Sequence, residues 1–256
     1  MTALLLALLA GALVGLALGA LGGGGSVLAV PALVYLLGFT PAAATTASLL
    51  IVTATSLTAL YAHARAGHVR WRTGVAFAVA GILPAALAGA AAAHLPQAVL
   101  TLAFAVIAML AAARMLRPAR PSESTGDRRP RPAKAAGVGA GLGALTGLLG
   151  VGGGFLAAPA LVTVLAFDMQ AAVGTSLLVI SVNSLASLAT RAASTVTLDW
   201  AVVGPFAAAA ILGAWDGKRL AAKVSGRGLQ RLFALVLLTV AAFMLVDALP
   251  RLGRPT

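Results

Sequence analysis

The chain has 256 residues, of which 61% are hydrophobic and only 9% charged; a soluble domain needs about 25% charged residues to cover its surface, so lipid is the solvent for most of this one. It has no cysteine, which excludes disulfides, thiolate metal sites and cysteine nucleophiles, and its three His and six Asp plus Glu leave little material for a metal cluster or an acid–base pair. The net charge of +12 accompanies a mean hydropathy of +1.02, so it reads as cationic loops on the cytoplasmic side of a membrane rather than as a nucleic-acid surface.

The first apolar segment, 3–21, lacks a basic run before it, and a copy of its continuation recurs mid-chain. It reads as part of the fold, not as a cleaved leader. Further apolar segments fall at 27–38, 42–62, 73–93, 96–116, 136–149, 155–167, 171–190, 200–216 and 229–249. A span of the hydrocarbon core takes about 20 residues, so 27–38 and 155–167 are too short to cross comfortably. The most polar stretch, 117–134, is rich in Pro, Ser and Arg and reads as a flexible cytoplasmic linker. It separates membrane repeat 1 (1–116) from membrane repeat 2 (135–256).

The two halves are copies. GGSVLAVPALV at 24–34 aligns with GGGFLAAPALV at 152–162, and Pro31 pairs with Pro159, an offset of 159 − 31 = 128. The same offset pairs Ser48 with Ser176 and Ser56 with Ser184; one further residue pairs Trp71 with Trp200 and Phe104 with Phe233. Duplications of this kind are typical of transporters.

The glycine runs set the topology. Segment 3–38 would be a helix about 54 Å long, too long for one crossing, and successive glycines cost a helix about 1 kcal/mol each. The chain is therefore expected to turn at Gly22–Ser26, return as 27–38, and do the same at Gly150–Gly154. Each half becomes a glycine-broken hairpin plus three spans. The fold class is an all-α polytopic membrane protein of two inverted repeats with both termini periplasmic. This arrangement puts fifteen of the eighteen Lys and Arg inside, leaving Arg191, Arg251 and Arg254 outside; a parallel arrangement puts thirteen inside, so the positive-inside rule favours inversion mildly.

The motifs LGGGGSVLAVPAL and LGVGGGFLAAPAL, then AVGTSLL at 172–178, then Trp200 heading the next span, together resemble the TauE/SafE family of membrane proteins over nearly the whole chain. The resemblance implies an exporter of sulfite, sulfoacetate or a related organosulfur anion. The first half departs from it, with TTASLL at 45–50 where the second keeps Gly174-Thr175-Ser176, and with Ser26 in place of a third glycine.

Bare backbone is not tolerated in lipid, so the broken helices must face protein or water. Free N–H groups and the positive end of the helix dipole at such a break suit an anion without a fixed cation; the two turns, brought together by inverted symmetry, are expected to form one midplane site of a secondary transporter that works by alternating access. The candidate substrate-binding residues are Gly22, Gly23, Gly24, Gly25 and Ser26 in the first half and Gly150, Gly152, Gly153 and Gly154 in the second. Ser48, Thr175, Ser176 and Asn183 are candidate polar lining. Two blander readings stand beside these: the glycines only let helices approach closely, and the hydroxyls bond their own helix backbone. No catalytic residue, metal or cofactor is expected. Ser26 as a nucleophile lacks a general base within reach; His63 and His68 read as parts of a basic loop with His94 at an outer turn, positions from which any of the three could carry protons. The expected partners are the lipid bilayer and a small anion, with protons as a candidate coupling ion; the composition allows a homodimer but shows no interface. The alternatives to a secondary transporter are a non-transporting membrane subunit and a small-anion channel.

Overall fold

The computed structural model describes residues 2–92, 97–116, 132–149, 156–191 and 198–252. These residues form helices and connecting turns with no strand. In order they are α1 (Thr2–Leu21), α2 (Gly24–Pro31), α3 (Pro41–Arg65), α4 (Trp71–Ala92), α5 (Gln97–Leu116), α6 (Pro132–Leu149), α7 (Ala157–Thr163), α8 (Met169–Arg191), α9 (Trp200–Lys223) and α10 (Gly226–Leu252). A π-helical turn, Ala32–Leu36, continues α2. Six of the helices have stretches long and apolar enough to cross a membrane: Thr2–Leu21, Ala43–Arg65, Trp71–Ala88, Met169–Ala189, Trp200–Lys223 and Gly226–Phe243. Leu5, Leu9, Leu13, Leu83, Leu87, Leu212 and Val246 are exposed, as an outer face in contact with acyl chains requires.

Three boundaries differ from the sequence expectation. The break before α2 is confined to Gly22 and Gly23, so Gly24, Gly25 and Ser26 belong to the helix. α6 begins at Pro132, so the last three residues of the expected linker are helical; the rest of it lies outside the described residues. α9 runs on to Lys223 instead of stopping near 216, which places Lys218 inside a helix.

The repeat is visible in the joints. Phe39 N–H donates to the Leu33 carbonyl at 3.0 Å, and 128 positions later Phe167 N–H donates to Leu161 at 3.0 Å. Thr40 then caps α3 by accepting from Ala43 N–H at 3.4 Å, and Asp168 caps α8 by accepting from Ala171 N–H at 2.9 Å. Capping by short oxygen side chains satisfies the orphan donors of the first turn. The turn residue just before is Gly38 (φ +69) in one copy and Ala166 (φ +54) in the other.

Packing is reciprocal between the copies. α1 lies along α9, and α6, the counterpart of α1, lies along α4, the counterpart of α9. Both contacts are backbone against backbone. A Cβ on Gly11 or Gly15 would strike the backbone of Phe206 or Ala210, and one on Gly139 or Gly143 would strike that of Phe77 or Gly81. The registers advance together, so the partners in each pair run parallel. Small residues at four-residue spacing permit this approach in lipid, where van der Waals contact replaces the hydrophobic effect. α3 and α8 pack on each other in the opposite sense: the Ser56 and Ser181 hydroxyls meet at 3.0 Å, and Gly174 packs on His63. α5 packs on α10, tied by Gln230 Nε2 donating to the Met115 carbonyl at 2.7 Å.

Two stability predictions follow from this geometry. Gly143→Ala should lower the thermal midpoint in detergent, by about 1–3 kcal/mol of overpacking. Gly141→Ala on the same helix, with nothing within 4 Å, should be neutral or stabilising by up to about 1 kcal/mol; equal behaviour of the two would refute the close packing. Ala166→Gly should raise the midpoint, since a left-handed conformation costs a non-glycine residue about 1–2 kcal/mol, less the extra chain entropy of glycine.

Candidate functional site

The α1–α2 break is built by sequence-local physics. Gly22 adopts φ +69, a region only glycine enters freely, and its N–H closes the last turn of α1 on the Leu18 carbonyl at 2.8 Å. A Cβ at Gly22 would strike Ser176 Oγ and crowd the Val173 carbonyl at 3.3 Å. The turn of the first half is thus seated on α8 of the second, so two sequence-predicted site residues, Gly22 and Ser176, meet. Gly23 beside them is buried.

Buried hydroxyls are concentrated on α3 and α8, and those of Ser56 and Ser181 meet across the contact between the two helices. Ser48, Thr53, Thr55 and Ser56 on α3 and Thr175, Ser176, Ser181 and Ser184 on α8 are all buried. Many bond their own helix: Ser48 to the Thr45 carbonyl (2.9 Å), Thr53 to Leu49 (2.6 Å), Thr55 to Ile51 (2.6 Å) and Ser176 to Val173 (2.9 Å). Each hydroxyl keeps lone pairs to accept further bonds. Thr175 Oγ1 accepts from the Arg70 N–H at 3.1 Å, joining α8 to the loop after α3. Asn183 is half-buried on α8.

The structure does not bring Ser48 and Ser176 together. Ser48 precedes Ser56 by eight positions and Ser176 precedes Ser181 by five, on helices running in opposite directions. They lie on either side of the Ser56–Ser181 contact, about 20 Å apart at 1.5 Å per residue. Gly150, Gly152, Gly153 and Gly154 lie outside the described residues, and so does His94.

Sequence reasoning missed a polar cluster at the C-terminal ends of α1 and α3. His63, read as part of a basic loop, is 3% exposed and reaches α1, its Nε2 lying 3.2 Å from the Gly19 carbonyl. His68 stands beside it, ring centroids 6.0 Å apart. Lys218, also expected in a loop, donates from Nζ to the Ala62 carbonyl at 2.6 Å. One signal was present: His63 follows Ser56 by seven positions, two helical turns, and so shares its buried face.

The Gly22–Ser176 contact can be tested by a double-mutant cycle read as thermal stability. Gly22→Ala should destabilise the protein both through its positive φ and through the clash. In a Ser176→Ala background the same change should cost less, with a coupling of about 0.5–3 kcal/mol; strict additivity would mean the two residues do not touch.

Residues 7–244 match the model of the family described as Sulfite exporter TauE/SafE. A protein of Xylella fastidiosa (strain 9a5c) described as "Probable membrane transporter protein" is 35% identical over 243 residues, covering 92% of each chain. A protein of the same description from strain Temecula1 / ATCC 700964 is 34% identical over 245 residues, again 92% of each. No solved structure matches the chain.

Proposed function

We propose, from the premise that this chain belongs to the sulfite exporter TauE/SafE family and is a multi-pass membrane transporter, that it carries a small oxyanion, such as sulfite or an organosulfonate, by alternating access. The observation that carries this reading is the seating of the Gly22 turn of one half on Ser176 of the other, one of the buried hydroxyls of α3 and α8. The buried hydroxyls become donors to sulfonyl oxygens by turning their single hydrogen away from the carbonyls of their own helices, and such neutral donors require no fixed cation.

The two halves act as inverted repeats. Copies of one helix that pack antiparallel on each other, as α3 and α8 do, are related by an axis lying across the helices, which in a membrane is an axis in its plane. The anion binds at the Gly22–Ser176 contact, and access to it alternates across the α3–α8 packing. The protein resides in a bacterial inner membrane with both termini periplasmic, which keeps the loop of Arg65, Arg70 and Arg72 in the cytoplasm.

Reconstituted in liposomes, the protein should take up labelled sulfite or sulfoacetate with saturable kinetics, and excess unlabelled anion should compete. Gly24→Leu and Gly153→Leu should each abolish this uptake while the protein still inserts and runs as a single species in detergent. Full uptake by both variants would sink the glycine turns as the site. Flux that never saturates would make the protein a channel, and no flux from folded wild-type protein would remove the anion reading.

A further inference from the structure

The polar cluster beside the glycine turn has no part in the site just described, yet its chemistry is specific. The Gly19 carbonyl can only accept a hydrogen bond, so His63 Nε2 carries the hydrogen of the neutral ring and Nδ1 is left with a lone pair. That Nδ1 is buried and without a protein partner, as is Nδ1 of His68. A buried ring nitrogen with no protein partner bonds water or takes up a proton.

The surroundings favour the proton. Gly19 and Gly22 are one turn apart on α1, and Gly174, which packs under the His63 Cβ and the His68 carbonyl, is two residues from Ser176. The histidines therefore adjoin the contact where the anion is proposed to sit. Among the described residues, the ionisable groups packed around His63 are His68 from the loop and the Lys218 ammonium from α9; α1 presents the Gly19 carbonyl and α8 presents Gly174. No carboxylate faces the pair; Asp216 on α9 is exposed and turned to Arg219. A proton on the pair thus adds positive charge next to a lysine, and an anion at the turn offsets it. Two ligands that each relieve the other's charge bind together, by reciprocal linkage. The cluster is also one-sided: 128 positions on, the counterpart of His63 is Arg191, which does not release its proton.

We propose that His63, with His68 beside it, is the proton-carrying site that couples anion movement to a proton gradient. Nδ1 of His63 takes a proton from the cytoplasmic side as the anion binds at Gly22–Ser176. It returns the proton to water when the anion leaves, so one proton and one anion are bound and released together. This rests on the transporter reading above, and the test separates the two.

Proteoliposomes carrying wild type, His63→Gln or His68→Gln are assayed with labelled sulfoacetate, or with sulfite if only that is carried, at a membrane potential clamped to zero. Two rates are compared: accumulation driven by a one-unit pH gradient, and anion-for-anion counterflow without a gradient. One proton per anion supports about tenfold accumulation in wild type, since one pH unit is a tenfold ratio. His63→Gln should lose that accumulation and keep counterflow, and His68→Gln should weaken the accumulation. Undiminished accumulation in His63→Gln overturns the proposal, and so does loss of counterflow in both His63→Gln and His63→Asn, which would make the residue structural. Absence of any wild-type flux overturns the transporter reading and this one with it.

Discussion

Helix backbones that touch without side chains between them hold this molecule together. In lipid there is no hydrophobic drive between helices, so association depends on how many atoms come into van der Waals contact. α1 on α9 and α6 on α4 bring main chain to main chain along four-residue glycine spacings. With these two pairs locked, α3 and α8 are pressed together between them, and the Gly22 turn is carried onto Ser176. Every functional contact described above lies downstream of those two glycine faces.

That constraint explains why small residues are abundant and where they matter. Gly139 and Gly143 are closed against α4, whereas Gly137 and Gly141 on the same helix meet nothing. The same residue type thus plays two roles within one turn of helix, and only the partner decides which. Polar groups follow the same economy: the hydroxyls of α3 and α8 donate their single hydrogen to carbonyls of their own helices and keep lone pairs to accept further bonds.

Much of this was legible in the sequence. The ten apolar segments fall on the ten α-helices among the described residues, because apolar runs bounded by Gly, Pro and charge have one stable form in a bilayer. The duplication was legible from Pro31 and Pro159, and the turn at Gly22 from the glycine run. Less was legible at the edges and between elements. Gly24, Gly25 and Ser26 joined α2 because glycine's penalty in a helix is only about 1 kcal/mol and tertiary contact outweighs it. The copied ladders Gly11–Gly15 and Gly139–Gly143 lay inside segments already assigned as spans, where composition reveals a small face but not its partner. His63 and Lys218 looked like loop residues because charge in a sequence marks a boundary, while the structure extends α3 and α9 past that boundary into a polar cluster.

The pairing of α1 with α9 and of α6 with α4 also changes what counts as a part. Each tightly packed pair draws one helix from either half of the chain, so the rigid pieces of the machine are not the duplicated units. A rocking motion that preserves the glycine contacts must carry α1 and α9 as one piece and α4 and α6 as another, sliding across the α3–α8 seam.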